Sequence, residues 1–133
     1  MIKKIDHVAM VVKETDKSVA LFSSMFGFEV VETRPDLEGG FKSTLLSKAD
    51  VILELIEPTA PQGPIQNFLQ KRGGGLHHIS IQVADLDEEI AHLKTLGVQL
   101  VSDVPLQIND DTRLVFIHPR STDGLMIELI ERK

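Results

Sequence analysis

An internal repeat is the feature of this sequence that most constrains its fold. Residues 5–32 align with residues 76–102, so that His7 is paired with His78. Chance supplies isolated identities, but not a series of them in the same order along two segments. A repeat of this kind indicates two copies of one supersecondary unit.

The two halves of the chain also end alike. Residues 53–57 read Leu-Glu-Leu-Ile-Glu, and residues 127–131 read Ile-Glu-Leu-Ile-Glu. Each half therefore has a histidine near its start and a glutamate near its end, at almost the same separation. These four residues are His7, Glu54, His78 and Glu128.

Each half is predicted to form a strand, a helix and three further strands. A strand rich in Val and Ile at 3–12 precedes a helix that Thr15 or Asp16 caps and Gly27 ends. The remaining strands of the first half are predicted at 28–34, 41–47 and 50–57. The second half is predicted to form a strand at 76–84, a helix at 87–96, and strands at 98–102, 112–118 and 124–131.

A linker that is rich in proline and glycine separates the two halves. We predict a first module at 1–58, a linker with a short helix at 59–74 and a second module at 75–133. The length of 133 residues suits a single domain of the α+β class. The glycine triplet at 73–75 is interpreted as a flexible lead into the next strand rather than as a phosphate-binding loop.

Composition excludes several classes of function. A net charge of −6 disfavours nucleic-acid binding, and the absence of cysteine excludes disulfides, zinc-thiolate sites and thiol catalysis. No apolar run approaches the roughly 18 residues that span a bilayer. The N-terminal segment is interpreted as a strand rather than a signal peptide, so a cytoplasmic protein without membrane contact is expected.

The recurring histidines and glutamates are the candidate metal ligands. Two imidazoles and two carboxylates suit one divalent ion of Zn, Co, Ni, Fe or Mn and leave positions open for water or substrate. Strand alternation places Glu54 on the face opposite its apolar neighbours. A single histidine in a strand is more often structural, but recurrence of both residue types in both halves favours a metal site.

Other histidines and basic residues carry weaker signals. His77 must face away from His78 and is interpreted as structural, whereas His92 lies on the polar face of a helix and is expected to be solvated. His118 ends a strand and is as easily a substrate contact as a structural residue. The candidate substrate-binding residues are His118, Arg120, Ser43 and Lys71.

Several longer motifs are more specific than the histidine and glutamate pattern. They are Ile5-Asp6-His7-Val8, the segment 52–58, Gly75-Leu76-His77-His78-Ile79, and Phe116-Ile117-His118-Pro119-Arg120-Ser121 followed by Ile127-Glu128-Leu129. With these motifs the chain resembles the vicinal oxygen chelate superfamily, which includes glyoxalase I, bleomycin-resistance proteins, extradiol dioxygenases and methylmalonyl-CoA epimerase. Within the superfamily it is most similar to methylmalonyl-CoA epimerases, over nearly its whole length.

This resemblance implies a fold and a reaction. The implied fold is a pair of tandem βαβββ modules whose curved mixed sheet surrounds a metal cleft. The implied reaction is metal-dependent epimerisation of methylmalonyl-CoA or a related acyl-CoA, by abstraction of the α-proton through a metal-stabilised enolate. The resemblance places the metal on His7, Glu54, His78 and Glu128, offers Glu128 as one acid/base group, and implies a homodimer.

Three departures from the family pattern concern the substrate. Ser43 stands where family members carry a second glutamate, and serine is a poor base without an activating neighbour. The segment 107–112 replaces a glycine-rich loop and adds two carboxylates, and Phe22 replaces a tyrosine.

These departures leave two other functions open. A glyoxalase I-type lactoylglutathione lyase would isomerise a hemithioacetal with the same four ligands. A drug- or metabolite-binding protein without catalysis is disfavoured, because all four ligands are present while Tyr and Trp are absent.

Overall fold

The computed structural model describes residues 1–133 and confirms the α+β class, with a βαβββ order in each half. The elements of the first half are β1 (Ile2–Val11), α1 (Thr15–Phe26), β2 (Glu29–Leu37), β3 (Phe41–Lys48) and β4 (Val51–Pro58). The linker forms α2 (Pro64–Arg72). The elements of the second half are β5 (Gly75–Val83), α3 (Leu86–Thr95), β6 (Leu106–Asn109), β7 (Thr112–Ile117), a 3-10 turn (Pro119–Ser121) and β8 (Met126–Arg132).

The strands of the first half lie in the order β2-β3-β4-β1, and those of the second half in the order β5-β8-β7-β6. In the first half β1 pairs in parallel with β4, and β3 lies antiparallel between β2 and β4. In the second half β5 pairs in parallel with β8, and β7 lies antiparallel between β6 and β8. The repeat in the sequence is thus a repeat of strand pairing.

The chain divides into two compact units, and the division falls inside β1. The first unit is His7–His77, and the second unit is His78–Lys133 together with Met1–Asp6. Within the second unit, both carboxylate oxygens of Asp6 accept hydrogen bonds from Arg132, at 2.8 and 3.0 Å. The N-terminal residues are therefore bonded to the last strand of the chain.

Each unit buries its own apolar cluster against a helix. In the first unit α2 covers one face of β1 and β4, and in the second unit α3 covers β5, β7 and β8. The first cluster consists of Ala9, Val11, Ile56 and Ile65, with Phe41, Phe68 and Leu69 packed against it. The second consists of Val83, Leu86, Ile90, Leu100, Val115, Ile117 and Leu129.

The second glutamate of each repeated motif holds the start of the helix in its own half. The backbone N–H and the hydroxyl of Thr15 donate to Glu57 Oε1, at 2.6 and 2.8 Å, and the backbone N–H of Leu86 donates to Glu131 Oε2 at 2.8 Å. The predicted capping of the first helix by a Thr15 or Asp16 side chain is wrong. That helix follows Glu14, which makes no side-chain cap, because a carboxylate from β4 supplies the acceptor instead.

The predicted strand at 98–102 is also wrong. In the structure Leu100 makes only an isolated bridge to Ile117. The backbone N–H of Val104 donates to the Ser102 hydroxyl at 3.3 Å, which turns the chain. The second strand of the second half begins only after this turn, as β6.

The segment 107–112, which was expected to be a loop, is largely a β-hairpin. Gln107 of β6 pairs with Arg113 of β7. At the tip, the backbone N–H of Asp111 donates to Asn109 Oδ1 at 2.8 Å, which is the side-chain-to-backbone bond that favours asparagine in turns. The two additional carboxylates of this segment therefore lie at an exposed hairpin end.

The backbone conformation at 73–75 explains why three consecutive glycines occur there. All three residues have positive φ angles, of 74°, 100° and 103°, and Gly73 ends α2 in the left-handed conformation. A Cβ on Gly74 would lie 2.9 Å from the backbone oxygen of Val11. Glycine adopts a positive φ without strain, and at Gly74 it also has no Cβ to clash with Val11. The triplet therefore sets the path of the backbone from α2 into β5.

Candidate metal centre

The first unit places a histidine beside a glutamate on neighbouring strands. Ala9 of β1 pairs with Glu54 of β4, so His7, two residues before Ala9, lies on the same face of the sheet as Glu54. His7 Nε2 and Glu54 Oε1 are 3.5 Å apart, with 12% and 17% of the two side chains exposed. Leu55 faces the opposite side and is fully buried, which agrees with the predicted alternation.

The second unit repeats this arrangement. Ser80 of β5 pairs with Glu128 of β8, which places His78, two residues before Ser80, on the face of Glu128. His78 Nε2 and Glu128 Oε2 are 3.9 Å apart, and only 7% and 6% of the side chains are exposed. The ring of Phe116 meets His78 edge-on at 5.9 Å, so this pair has an apolar neighbour.

The geometry of both pairs fits metal ligands. The two separations exceed the 2.7–3.2 Å of ordinary hydrogen bonds. Two ligand atoms that each lie about 2.1 Å from one ion are about 3–3.5 Å apart, close to the distances found here. His7 and Glu54 both belong to a group that could hold a metal ion. Imidazole nitrogen with carboxylate oxygen is a donor set that suits first-row divalent ions.

Ser43 contacts one of these carboxylates. Its side chain is on β3, is 2% exposed, and donates from Oγ to Glu54 Oε2 at 2.6 Å. Leu45 pairs with Glu54 across β3 and β4, which puts Ser43 on the same face. The sequence indicated Ser43 as a candidate substrate contact, whereas the structure gives its hydroxyl a bond to a candidate ligand.

His77 has the surroundings of a structural residue, as predicted. Its ring packs edge-on against Phe68 of α2 at 5.0 Å, and the Arg72 guanidinium lies 5.2 Å from the centre of the same Phe68 ring. Burial lowers the pKa of His77 below its ordinary value of 6.5; the charge of Glu54 opposes this shift, and that of Arg72 adds to it. His77 is therefore neutral at pH 7.

The other candidate substrate residues are spread over both units. His118 directly follows β7, and its Nδ1 accepts a hydrogen bond from the backbone N–H of Arg120 at 3.0 Å. Lys71 and Arg120 are exposed, in the last turn of α2 and in the 3-10 turn. His92 is exposed on α3, as expected for a solvated residue. The substrate-binding roles stay predictions.

The sequence motifs did not predict that Ser80 and Phe116 would be neighbours of Glu128. Ser80 is fully buried directly beside it on β5, and Phe116 is beside it on β7. The spacing of two residues from His78 to Ser80 was a usable signal, because alternate residues of a strand share a face. Phe116 needed the strand register, which the sequence does not give.

The sequence matches the Glyoxalase/Bleomycin resistance protein/Dioxygenase superfamily over residues 6–116. The chain belongs to this superfamily. The resemblance drawn from the motifs is thereby confirmed, and the βαβββ repeat is the fold of a superfamily member.

The relatives of this superfamily member include several epimerases. A mitochondrial methylmalonyl-CoA epimerase of Dictyostelium discoideum is 31% identical over 132 residues, which are 98% of this chain and 80% of the relative. The crystal structure of methylmalonyl-CoA epimerase from Mycobacterium tuberculosis is similar with a TM-score of 0.88 and 28% identity, covering 99% of this chain and 89% of that one. A Streptomyces coelicolor methylmalonyl-CoA epimerase variant in complex with 2-nitronate-propionyl-CoA has a TM-score of 0.85 and 30% identity, covering 99% and 96%.

Proposed function

We propose that this protein is a metal-dependent, methylmalonyl-CoA epimerase-like isomerase that acts on methylmalonyl-CoA or a related acyl-CoA. The observation that carries the proposal is the histidine–glutamate pair that recurs in each unit. It occurs in a chain that is similar over nearly its full length to methylmalonyl-CoA epimerases. The small-molecule substrate is accordingly a CoA thioester.

The proposed ligands are His7, Glu54, His78 and Glu128. An ion bound there would act as a Lewis acid that stabilises the negative charge developing on a thioester oxygen. Glu128 is the group proposed to take the α-proton, because it is a buried carboxylate beside the apolar ring of Phe116. Inversion also needs a proton returned on the opposite face. Ser43 is a poor candidate for that step, since its hydroxyl already donates to Glu54.

Proton exchange in D₂O tests the proposed function. Metal-loaded protein is incubated with methylmalonyl-CoA, and proton NMR follows deuterium entering the α-carbon. We expect rapid exchange that protein treated with EDTA does not give, because the α-proton is not acidic enough to leave without stabilisation of the charge left behind. Starting from a single epimer at the α-carbon then shows whether inversion follows.

The controls separate the possible failures. Metal content is measured on the same samples. If the ion is bound and no exchange occurs, the protein is not an epimerase of this substrate. The hemithioacetal of methylglyoxal is then the next substrate, since a glyoxalase I-type lyase would use the same ligands.

None of the three helices combines the length and the apolar character that a membrane-spanning helix needs. A homodimer and a cytoplasmic location stay predictions from the family resemblance and the sequence. Light scattering of the purified protein would test the first, with a mass of twice 14.8 kDa expected.

A further inference from the structure

The carboxylate of Glu54 has different neighbours at its two oxygens. Oε1 is 3.5 Å from His7 Nε2, and Oε2 accepts the hydroxyl proton of Ser43 at 2.6 Å. A glutamate side chain has three rotatable bonds, so its two oxygens exchange readily unless a neighbour distinguishes them. In this unit Ser43 is such a neighbour.

The Ser43 hydroxyl is well placed to be a fixed donor. Its residue is 2% exposed, so few waters compete for the bond, and the β3–β4 register holds it on the face of Glu54. A hydrogen bond to a charged acceptor is shorter and stronger than one between neutral groups, and the 2.6 Å length fits such a bond. The bond leaves Oε1 turned towards His7.

We propose that Ser43 is a positioning residue that selects which oxygen of Glu54 is presented to the metal. This inference rests on the proposed metal centre and deepens it. Ser43 then acts through Glu54 and takes no part in proton transfer. Partners that orient a ligand in this way typically change metal affinity by about 10- to 100-fold when they are removed.

Thr44 supplies a matched control on the same strand. It is as buried as Ser43, with 3% exposure, but it points to the other face, and its hydroxyl makes no hydrogen bond. Replacing Thr44 by Val removes a buried hydroxyl without touching Glu54. Ser43→Thr keeps the hydroxyl and serves as the conservative variant.

The experiment is a titration with Co²⁺ without substrate, in which visible absorption gives the dissociation constant and reports the geometry at the ion. Wild type, Ser43→Ala, Ser43→Thr and Thr44→Val are compared, with thermal unfolding of each metal-free protein as the folding control. We expect Ser43→Ala to bind Co²⁺ at least tenfold more weakly with an altered spectrum. Ser43→Thr and Thr44→Val are expected within threefold of wild type.

The outcomes separate this inference from the proposed function. Equal affinity of Ser43→Ala and wild type overturns the positioning role alone, and equal losses in Ser43→Ala and Thr44→Val overturn it as general packing damage. Absence of Co²⁺ binding by wild type overturns the metal centre and the positioning role together. If Co²⁺ binds as expected but methylmalonyl-CoA shows no exchange, the positioning role stands and the proposed reaction falls.

Discussion

Glu54 and Glu128 occupy matching positions in the repeat but have different neighbours. Glu54 accepts a hydrogen bond from Ser43, whereas Glu128 lies between Ser80 and Phe116 on the adjacent strands. A hydroxyl donor stabilises the charged form of the Glu54 carboxylate. The repeat is therefore symmetric in residue type and asymmetric in environment.

Replacing Glu128 with Gln should slow deuterium exchange of methylmalonyl-CoA by about 100-fold or more, the usual contribution of a general base. Glutamine keeps the shape of the side chain but cannot accept the α-proton. The control is Glu57→Gln, which makes the same substitution at the second glutamate of β4, a residue that holds the start of α1. Equal exchange rates in Glu128→Gln and wild type, with metal bound in both, would remove Glu128 from the reaction.

For individual residues, the sequence predicted which side chains belong to the candidate site better than it predicted their contacts. His7, Glu54, His78 and Glu128 stood out because they recur, and the pairing of each histidine with a glutamate follows from parallel neighbouring strands. The bond from Ser43 to Glu54 could not be predicted, since it depends on the register of β3 against β4. A shift by one residue would turn Ser43 to the other face.

Among the elements, the two helices in matching positions start on carboxylates from the last strand of their own half. Burial opposes ionisation of Glu57, but the two hydrogen bonds from Thr15 and the charge of Lys42 outweigh it and lower the pKa of Glu57 below 4.5. A carboxylate at a helix N-terminus also interacts favourably with the helix dipole. The last strand thus fixes the position of the helix in each half.

Glu57 should make stability depend on pH in the acid range. Because its folded pKa is lowered, its stabilising effect is present above pH 4.5 and disappears as the pH falls through the folded pKa. Urea unfolding should show Glu57→Gln less stable than wild type at pH 7, by about 0.5–1 kcal/mol for a partly exposed acceptor. The difference should shrink at pH 3.5.

Thr15→Val provides the control, since it removes one of the two donors and keeps the backbone N–H. Thr15→Val should therefore remove only part of the pH-dependent stabilisation that Glu57 provides. A difference between wild type and Glu57→Gln that is the same at both pH values would show that the charge of Glu57 does not support α1.

The bounds of helices and strands with a strong apolar pattern were predicted within a few residues. The strand predicted at 98–102 was wrong for a physical reason. Gly27 ends α1 with a φ of 77°, as expected from its residue type. The segment 98–102 has apolar residues like a strand, but the turn after it depends on Ser102, and the strand forms later, at β6. Periodicity identifies apolar segments and does not reveal which neighbouring strand is available to pair.

For the whole molecule, the repeat predicts that one ion is shared by ligands from both halves. Co²⁺ at 100 times its dissociation constant should stabilise the folded protein by about 2.7 kcal/mol, or about 10 °C in melting temperature. His7→Ala and His78→Ala each remove one ligand, from different units. Both variants should lose most of this shift in thermal unfolding.

The control is wild type, His7→Ala and His78→Ala after treatment with EDTA. Without metal, the three melting temperatures should differ only by the effect of each substitution on the metal-free protein. A shift that persists in full in one histidine variant would mean that the pair in the other half binds the ion alone. That result would contradict a shared site.

The division of β1 between the units has a consequence for synthesis on the ribosome. Asp6 binds Arg132, which is 126 residues further along the chain, so β1 can gain this partner only after β8 has been synthesised. Closing so long a loop is slow, because its entropy must be lost before the contacts form. A nascent chain that has not yet released β8 holds β1 without that partner, and the second unit is completed only once β8 has left the ribosome.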